Sequence, residues 1–102
     1  MSWERVAKLE EVPPGTAHVV QVGGKRIALC NTGEGVYAID DECTHDHGPL
    51  DQGRLDGRQI ECPRHGARFD VVTGRVLALP AVRPVKTYPA RLDGDAVEVD
   101  VG

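Results

Sequence analysis

Turn residues, chiefly glycine and proline, punctuate this 102-residue chain, and no amphipathic helix of ordinary length is visible between them. The breaks are "PPG" at 13–15, Gly23-Gly24, "NTGEG" at 31–35, Asp56-Gly57, Thr73-Gly74 and Asp93-Gly94. Between them lie short runs rich in Val, Ile and Leu: "AHVVQV", "KRIALC", "VYAID", "RQIEC", "ARFDVV" and "DAVEVDV". Short apolar runs separated by turn residues read as an all-β fold, a sandwich or barrel. "DAVEVDV" alternates most cleanly, with Val97, Val99 and Val101 facing one way and Glu98 and Asp100 the other. Gly23-Gly24 and Asp93-Gly94 suit two-residue hairpin turns, which need positive φ.

The runs divide the single domain, residues 1–102, into two parts. Residues 1–40 and 85–102 are strand-rich and form a base. Residues 41–84 hold four of the seven prolines and form a smaller subdomain set on it. "ALPAVRPV" at 78–85 is too proline-rich for a central strand, because proline cannot donate to the ladder. It is expected to be a loop leaning over the subdomain.

Composition removes several function classes. The formal net charge of −4 is wrong for a nucleic-acid binder, which carries a basic face. The N-terminal stretch has acidic residues and no apolar run of signal-peptide length, and no segment approaches the roughly 20 apolar residues of a membrane span. A cytoplasmic protein is expected. Three cysteines, an odd number, do not suggest a disulfide framework.

The chemistry is concentrated in "DECTHDHGPLDQGRLDGRQIECPRHGARFD", from Asp41 to Asp70. Cys43-Thr-His45 and Cys62-Pro-Arg-His65 each put a thiol and an imidazole on one short loop, with sixteen residues between the pairs. Thiolate and imidazole are the ligands proteins use for zinc, copper and iron. Three readings compete. A Cys₂His₂ zinc site normally pairs cysteine with cysteine and histidine with histidine, whereas here each loop offers one of each. The four residues could lack a joint role. A [2Fe–2S] cluster with thiolates on one iron and imidazoles on the other suits one Cys and one His per loop.

The pattern Cys43-Thr-His45, sixteen residues, Cys62-Pro-Arg-His65-Gly66 resembles the Rieske iron–sulfur motif. The resemblance continues through "FDVVTGRV" at 69–76 and "PVKTYPARLDGDAVEVDV" at 84–101. These stretches are similar to Rieske-type [2Fe–2S] ferredoxins that serve aromatic-ring-hydroxylating dioxygenases. The resemblance implies stacked antiparallel sheets with a small cluster-binding subdomain. It implies Cys43 and Cys62 as ligands of the inner iron, and His45 and His65 as ligands of the outer one.

Departures from the family pattern carry information. Rieske proteins of cytochrome complexes have two further cysteines that staple the loops; the matching positions here are Gly48 and Arg64. Their serine and tyrosine hydroxyls near the cluster sulfurs correspond to Ala67 and Phe69. Hydrogen bonds to sulfur raise the potential. Without those two, the low end of the Rieske range, about −150 mV, is expected. His47 is a second candidate for the place of His45, but the motif spacing favours His45. His18 reads as a strand-surface residue, Cys30 as a core thiol, and Trp3, Tyr37 and Tyr88 as packing residues. Asp40, Asp41, Glu42, Asp46 and Asp51 form an acidic group, either an ordinary solvated surface or one that presents the tip to a basic partner.

A Rieske oxygenase also needs an iron held by two histidines and a carboxylate. Only His18 and His47 remain for it, and no G-x-G-x-x-G nucleotide motif is present. The expected function is therefore a monomeric one-electron carrier and not an enzyme. A flavoprotein ferredoxin reductase and a terminal oxygenase would be its partners. A Rieske-like small subunit of nitrite reductase is the alternative.

Overall fold

The computed structural model describes residues 3–102, and its regular structure is almost wholly short antiparallel strands. In chain order these are β1 (Glu4–Lys8), β2 (Ala17–Val22), β3 (Lys25–Asn31), β4 (Val36–Asp40), β5 (Arg54–Asp56), β6 (Gln59–Glu61), β7 (Arg68–Asp70), β8 (Val76–Ala78), β9 (Thr87–Tyr88), β10 (Ala90–Asp93) and β11 (Ala96–Val99). A single 3₁₀ turn, Leu9–Glu11, is the helical structure among the described residues. The strands form three sheets, ordered β1-β11-β10, β2-β3-β4-β9 and β5-β6-β7-β8. All four strands of the third sheet come from residues 54–78.

All six apolar runs read from the sequence contain strands. β1, β5, β8, β9 and β10 were not among them. β9 is two residues long and flanked closely by prolines, and β1, β5 and β10 carry charges at a third or more of their positions, so local patterning is weak there.

β3 explains the architecture. Its side chains alternate between two cores, as successive strand residues must. Ile27 and Leu29 join Val12, Val22, Ala38, Tyr88, Val97 and Val99 in one. Ala28 and Cys30 join Ile39, Cys43, Leu50, Ile60, Cys62, Phe69 and Val71 in the other. β3 thus faces apolar surroundings on both sides, so "IALC" is continuously hydrophobic rather than alternating. The second core runs from the middle sheet directly to the two cysteines of the ligand pairs.

The β2–β3 hairpin turns on Gly23 and Gly24, with φ of 57° and 79°. The last hairpin differs from expectation by one residue. Asp93 pairs with Ala96, so the turn residues are Gly94 and Asp95, and Gly94 alone takes positive φ at 62°. That is the type II′ pattern, with glycine at the first central position. Asp100 also departs from its expected solvent-facing place. It is buried, and its Oδ1 accepts from the Gly102 N–H at 2.9 Å, because the chain leaves the strand after Val99.

Candidate metal centre

The two Cys/His loops are the same turn built twice. The Cys43 N–H donates to the Gly48 carbonyl at 2.8 Å, and the Cys43 carbonyl accepts from the His47 N–H at 2.8 Å. The Cys62 N–H donates to the Ala67 carbonyl at 2.7 Å, and the Cys62 carbonyl accepts from the Gly66 N–H at 3.1 Å. In both loops the fourth residue after cysteine has positive φ, His47 at 63° and Gly66 at 77°. Histidine is among the residues that enter this region more readily than most.

The repeat gives His47 a place in the backbone. It holds the position that glycine fills in the other loop, and its 70%-exposed ring pairs through Nδ1 with Glu42 Oε1 at 2.5 Å. It is an exposed turn residue.

The thiols of Cys43 and Cys62 are buried, and their Sγ atoms lie within 4.8 Å of each other and of an Asp46 carboxylate oxygen. Burial pushes the Cys43 thiol up, and the neighbouring Cys62 thiol pushes the same way, against N–H groups of His45 and Asp46. His45 and His65 are exposed, with ring centroids 5.3 Å apart and planes edge to face at 87°. Two thiols lie in the core and two imidazoles at the surface, from two loops closed by backbone hydrogen bonds. This donor set fits a mixed thiolate–imidazole iron–sulfur cluster. Ala67 and Phe69 are both fully buried beside the cysteines in the same core.

The surroundings fix the loops from three directions. Thr44 Oγ1 donates to the Arg83 carbonyl at 2.7 Å, and Ala81 packs in the core with both cysteines. The 78–85 segment therefore does lean over the site. Asp41, with a fully buried side chain, accepts from Arg26 Nη2 at 2.9 Å and from the Asp51 N–H at 2.7 Å. Burial pushes its carboxyl above the ordinary carboxylate range despite those two donors.

The acidic group read as a surface is largely internal. Asp40 accepts from the Tyr88 hydroxyl at 2.6 Å, Asp41 is buried, and Glu42 pairs with His47. Asp46 turns inward: its side chain is only 13% exposed. Its Oδ1 accepts from the Gly48 N–H at 2.9 Å, and that bond and the Arg64 charge hold its carboxyl below the usual range. Asp40, Asp41 and Asp46 each found an internal donor, which is the condition for burying a carboxylate at all. Sequence signals for these placements exist in retrospect. Asp46-His47-Gly48 is an Asx-turn pattern, with the side chain bonding the N–H two residues on. Asp41 lies one residue past Asp40, which pairs with Ile27, so the register brings it beside Arg26.

An antiparallel β domain with two buried thiols and two surface imidazoles on matched loops is a metal-cluster-binding module. The Rieske [2Fe-2S] domain model matches residues 2–89, and the chain belongs to that family. It is 42% identical to the ferredoxin component of the naphthalene 1,2-dioxygenase system of Pseudomonas aeruginosa, over 97% of this chain and 95% of that protein. The ferredoxin of carbazole 1,9a-dioxygenase from Nocardioides aromaticivorans IC177 has a similar structure, with a TM-score of 0.92, 39% identity and 97% of each chain covered. A chain in a complex of reduced oxygenase and oxidized ferredoxin in carbazole 1,9a-dioxygenase aligns with a TM-score of 0.88 at 36% identity, covering 95% of this chain and 91% of its own.

Proposed function

We propose that this chain carries single electrons from a flavoprotein reductase to the terminal oxygenase of a ring-hydroxylating dioxygenase system. The observation that carries the reading is the burial gradient across the two matched loops, with thiols inside and imidazoles outside. In this reading Cys43 and Cys62 hold one iron of a [2Fe–2S] cluster, and His45 and His65 hold the other. When bound, such a cluster supplies reversible one-electron reduction at a potential set by its ligands and hydrogen bonds.

The residues of the chain have definite tasks in that role. The buried cysteines and the core around them keep water from the inner side. The exposed histidines present the outer side to a docked partner. The buried Ala67 and Phe69 offer no hydroxyl to a neighbouring sulfur, so a low potential, about −150 mV, belongs to the proposal. The relatives named as dioxygenase ferredoxins support the choice of partner. A monomer acting in the cytoplasm, with its three cysteines outside any disulfide, completes the reading.

Visible circular dichroism and electron paramagnetic resonance of the purified protein test the cluster. The mixed-ligand signature is expected in the wild type and lost in Cys62→Ser. A colourless wild type, or a Cys62→Ser variant with the native spectrum, would overturn the assignment. Stopped-flow oxidation of the reduced protein by a ring-hydroxylating oxygenase then tests the partner: no transfer would leave a cluster protein serving some other acceptor.

A further inference from the structure

Asp46 is the least explained group near the site. Its Oδ2 is buried without a hydrogen-bond partner. Oδ1 already serves the Gly48 N–H and stands 3.9 Å from the Cys62 Sγ. Two side chains approach Oδ2, both from the other Cys/His loop: Arg64 Nε at 3.8 Å and His65 Nδ1 at 3.4 Å. Of these, arginine is charged at every pH the protein meets.

The matched turns explain why these residues meet. Counting from each cysteine, the second position holds His45 in one loop and Arg64 in the other. The third holds Asp46 in the first and His65 in the second. Each loop thus spends one of the two positions on an imidazole and leaves the other for a charge, and the two charges are opposite. Gly48 makes room for their approach. A Cβ at that position would lie 3.1 Å from both Arg64 Cδ and Asp46 Oδ1.

We propose that Asp46 and Arg64 are positioning residues that form an electrostatic strap between the two ligand loops, keeping the Cys/His pairs closed on one another. The inference rests on the ligand assignment above. A buried carboxylate left without its cation is costly, whereas a half-exposed arginine is easily resolvated. The pair therefore acts mainly by compensating the charge that the closed loops bury at Asp46. Arg64, whose side chain is 61% exposed, is free to reach in from the rim.

The test uses the cluster-loaded protein. The first readout is the rate at which the visible spectrum decays in excess iron chelator, and the second is the midpoint potential. Asp46→Asn keeps an oxygen for the Gly48 N–H but removes the charge. Asp46→Asn and Arg64→Ala are each expected to lose the cluster about fivefold faster than wild type, the size expected of one partly buried ion pair. The double variant should decay no faster than either single one, because the two residues act as a unit. The potentials should move in opposite directions: up for Asp46→Asn, which removes a negative charge beside a centre that becomes more negative on reduction, and down for Arg64→Ala. Wild-type decay rates in Asp46→Asn would reduce Asp46 to a cap on the loop and overturn the strap. Multiplicative effects in the double variant, or potentials shifting the same way, would also overturn it. A wild type that lacks the cluster spectrum would overturn the ligand assignment and the strap with it. Loss of the strap alone leaves the wild-type spectrum intact, so the two failures are distinct.

Discussion

Removing the Asp41 side chain should loosen the first ligand loop by a calculable amount. Asp41 is the joint between the β2–β3 hairpin, through Arg26, and the segment that follows the loop, through the Asp51 N–H. Asp41→Ala strands that N–H, at a cost of about 1–3 kcal/mol. Loss of the Arg26 pair adds under about 1 kcal/mol, because that arginine side chain is 53% exposed and is resolvated. Relief of the buried charge works the other way, since burial already pushes the carboxyl up. The net loss is about 1–3 kcal/mol, which in a domain of this size lowers the apparent melting temperature by about 5–20 °C. Asp41→Asn keeps the acceptor for Asp51 and removes the buried charge, so its loss should stay under about 1 kcal/mol. The raised folded pKa also sets a pH signature. The folded state holds its proton above the ordinary carboxylate value, so Asp41's contribution is greatest at low pH and declines as pH rises through the raised value. The advantage of wild type over Asp41→Asn should shrink over that interval. Thermal melts followed by far-ultraviolet and visible circular dichroism, on both variants across that interval, supply the numbers. Equal losses in Ala and Asn would show that the ion pair with Arg26, not the bond to Asp51, is the joint, and would refute the reasoning.

Other substitutions test separate parts of the site. Ala67→Ser with Phe69→Tyr should raise the midpoint potential in a voltammetric titration, and an unchanged potential would mean that exposure or net charge dominates. His47→Gly should leave stability within about 1 kcal/mol of wild type, because glycine accepts positive φ without strain, while His47→Val should lose about 1–3 kcal/mol for forcing a β-branched residue there. Cys30, its pKa pushed up to about 12 by burial and then by Asp41, should resist alkylation at pH 8 until the protein unfolds, as read by mass spectrometry.

What the sequence revealed was what depends on near neighbours. The ligand pairs are local motifs, and the six apolar runs carry their own periodicity, so both were legible. The burial of "IALC" between two cores follows from the same run once a sandwich is assumed. The Asx turn at Asp46 is local, but the cations that Asp46 and Asp41 face were not legible, because Arg64 and Arg26 lie 18 and 15 residues away. Charge alone suggested a surface. The role of His47 was hidden for another reason. Cys-x-His and Cys-x₂-His look like different motifs, and only their backbone hydrogen bonds show one turn used twice, with His47 in the place of Gly66.

The two cores bear on what happens when the site cannot hold its cluster. Loop-rich metal-binding segments often depend on the metal for their structure. The structure gives residues 41–84 more support than that. Leu50, Ile60, Phe69, Val71, Ala81 and Val85 form one buried cluster with Ala28, Cys30 and Ile39 from β3 and β4. Burying side chains of this kind is worth about 1.5–3 kcal/mol each for the larger ones, and none of that depends on a ligand. The loops themselves are different. From Cys43 to Gly48 and from Cys62 to Ala67 each is closed by two backbone bonds, and beyond the cysteines the apolar side chains they hold are Pro63 and Ala67. Metal binding and folding are coupled where the site is not preformed. Cys62→Ser should therefore release the two loops and leave the third sheet paired. Amide hydrogen exchange distinguishes the outcomes. Protection should vanish at His47 and Gly66, whose N–H groups close the turns, and persist at Ile60 and Phe69 in β6 and β7. Loss of protection through β6 and β7 as well would mean that the cluster, rather than the apolar core beneath it, holds the third sheet in place.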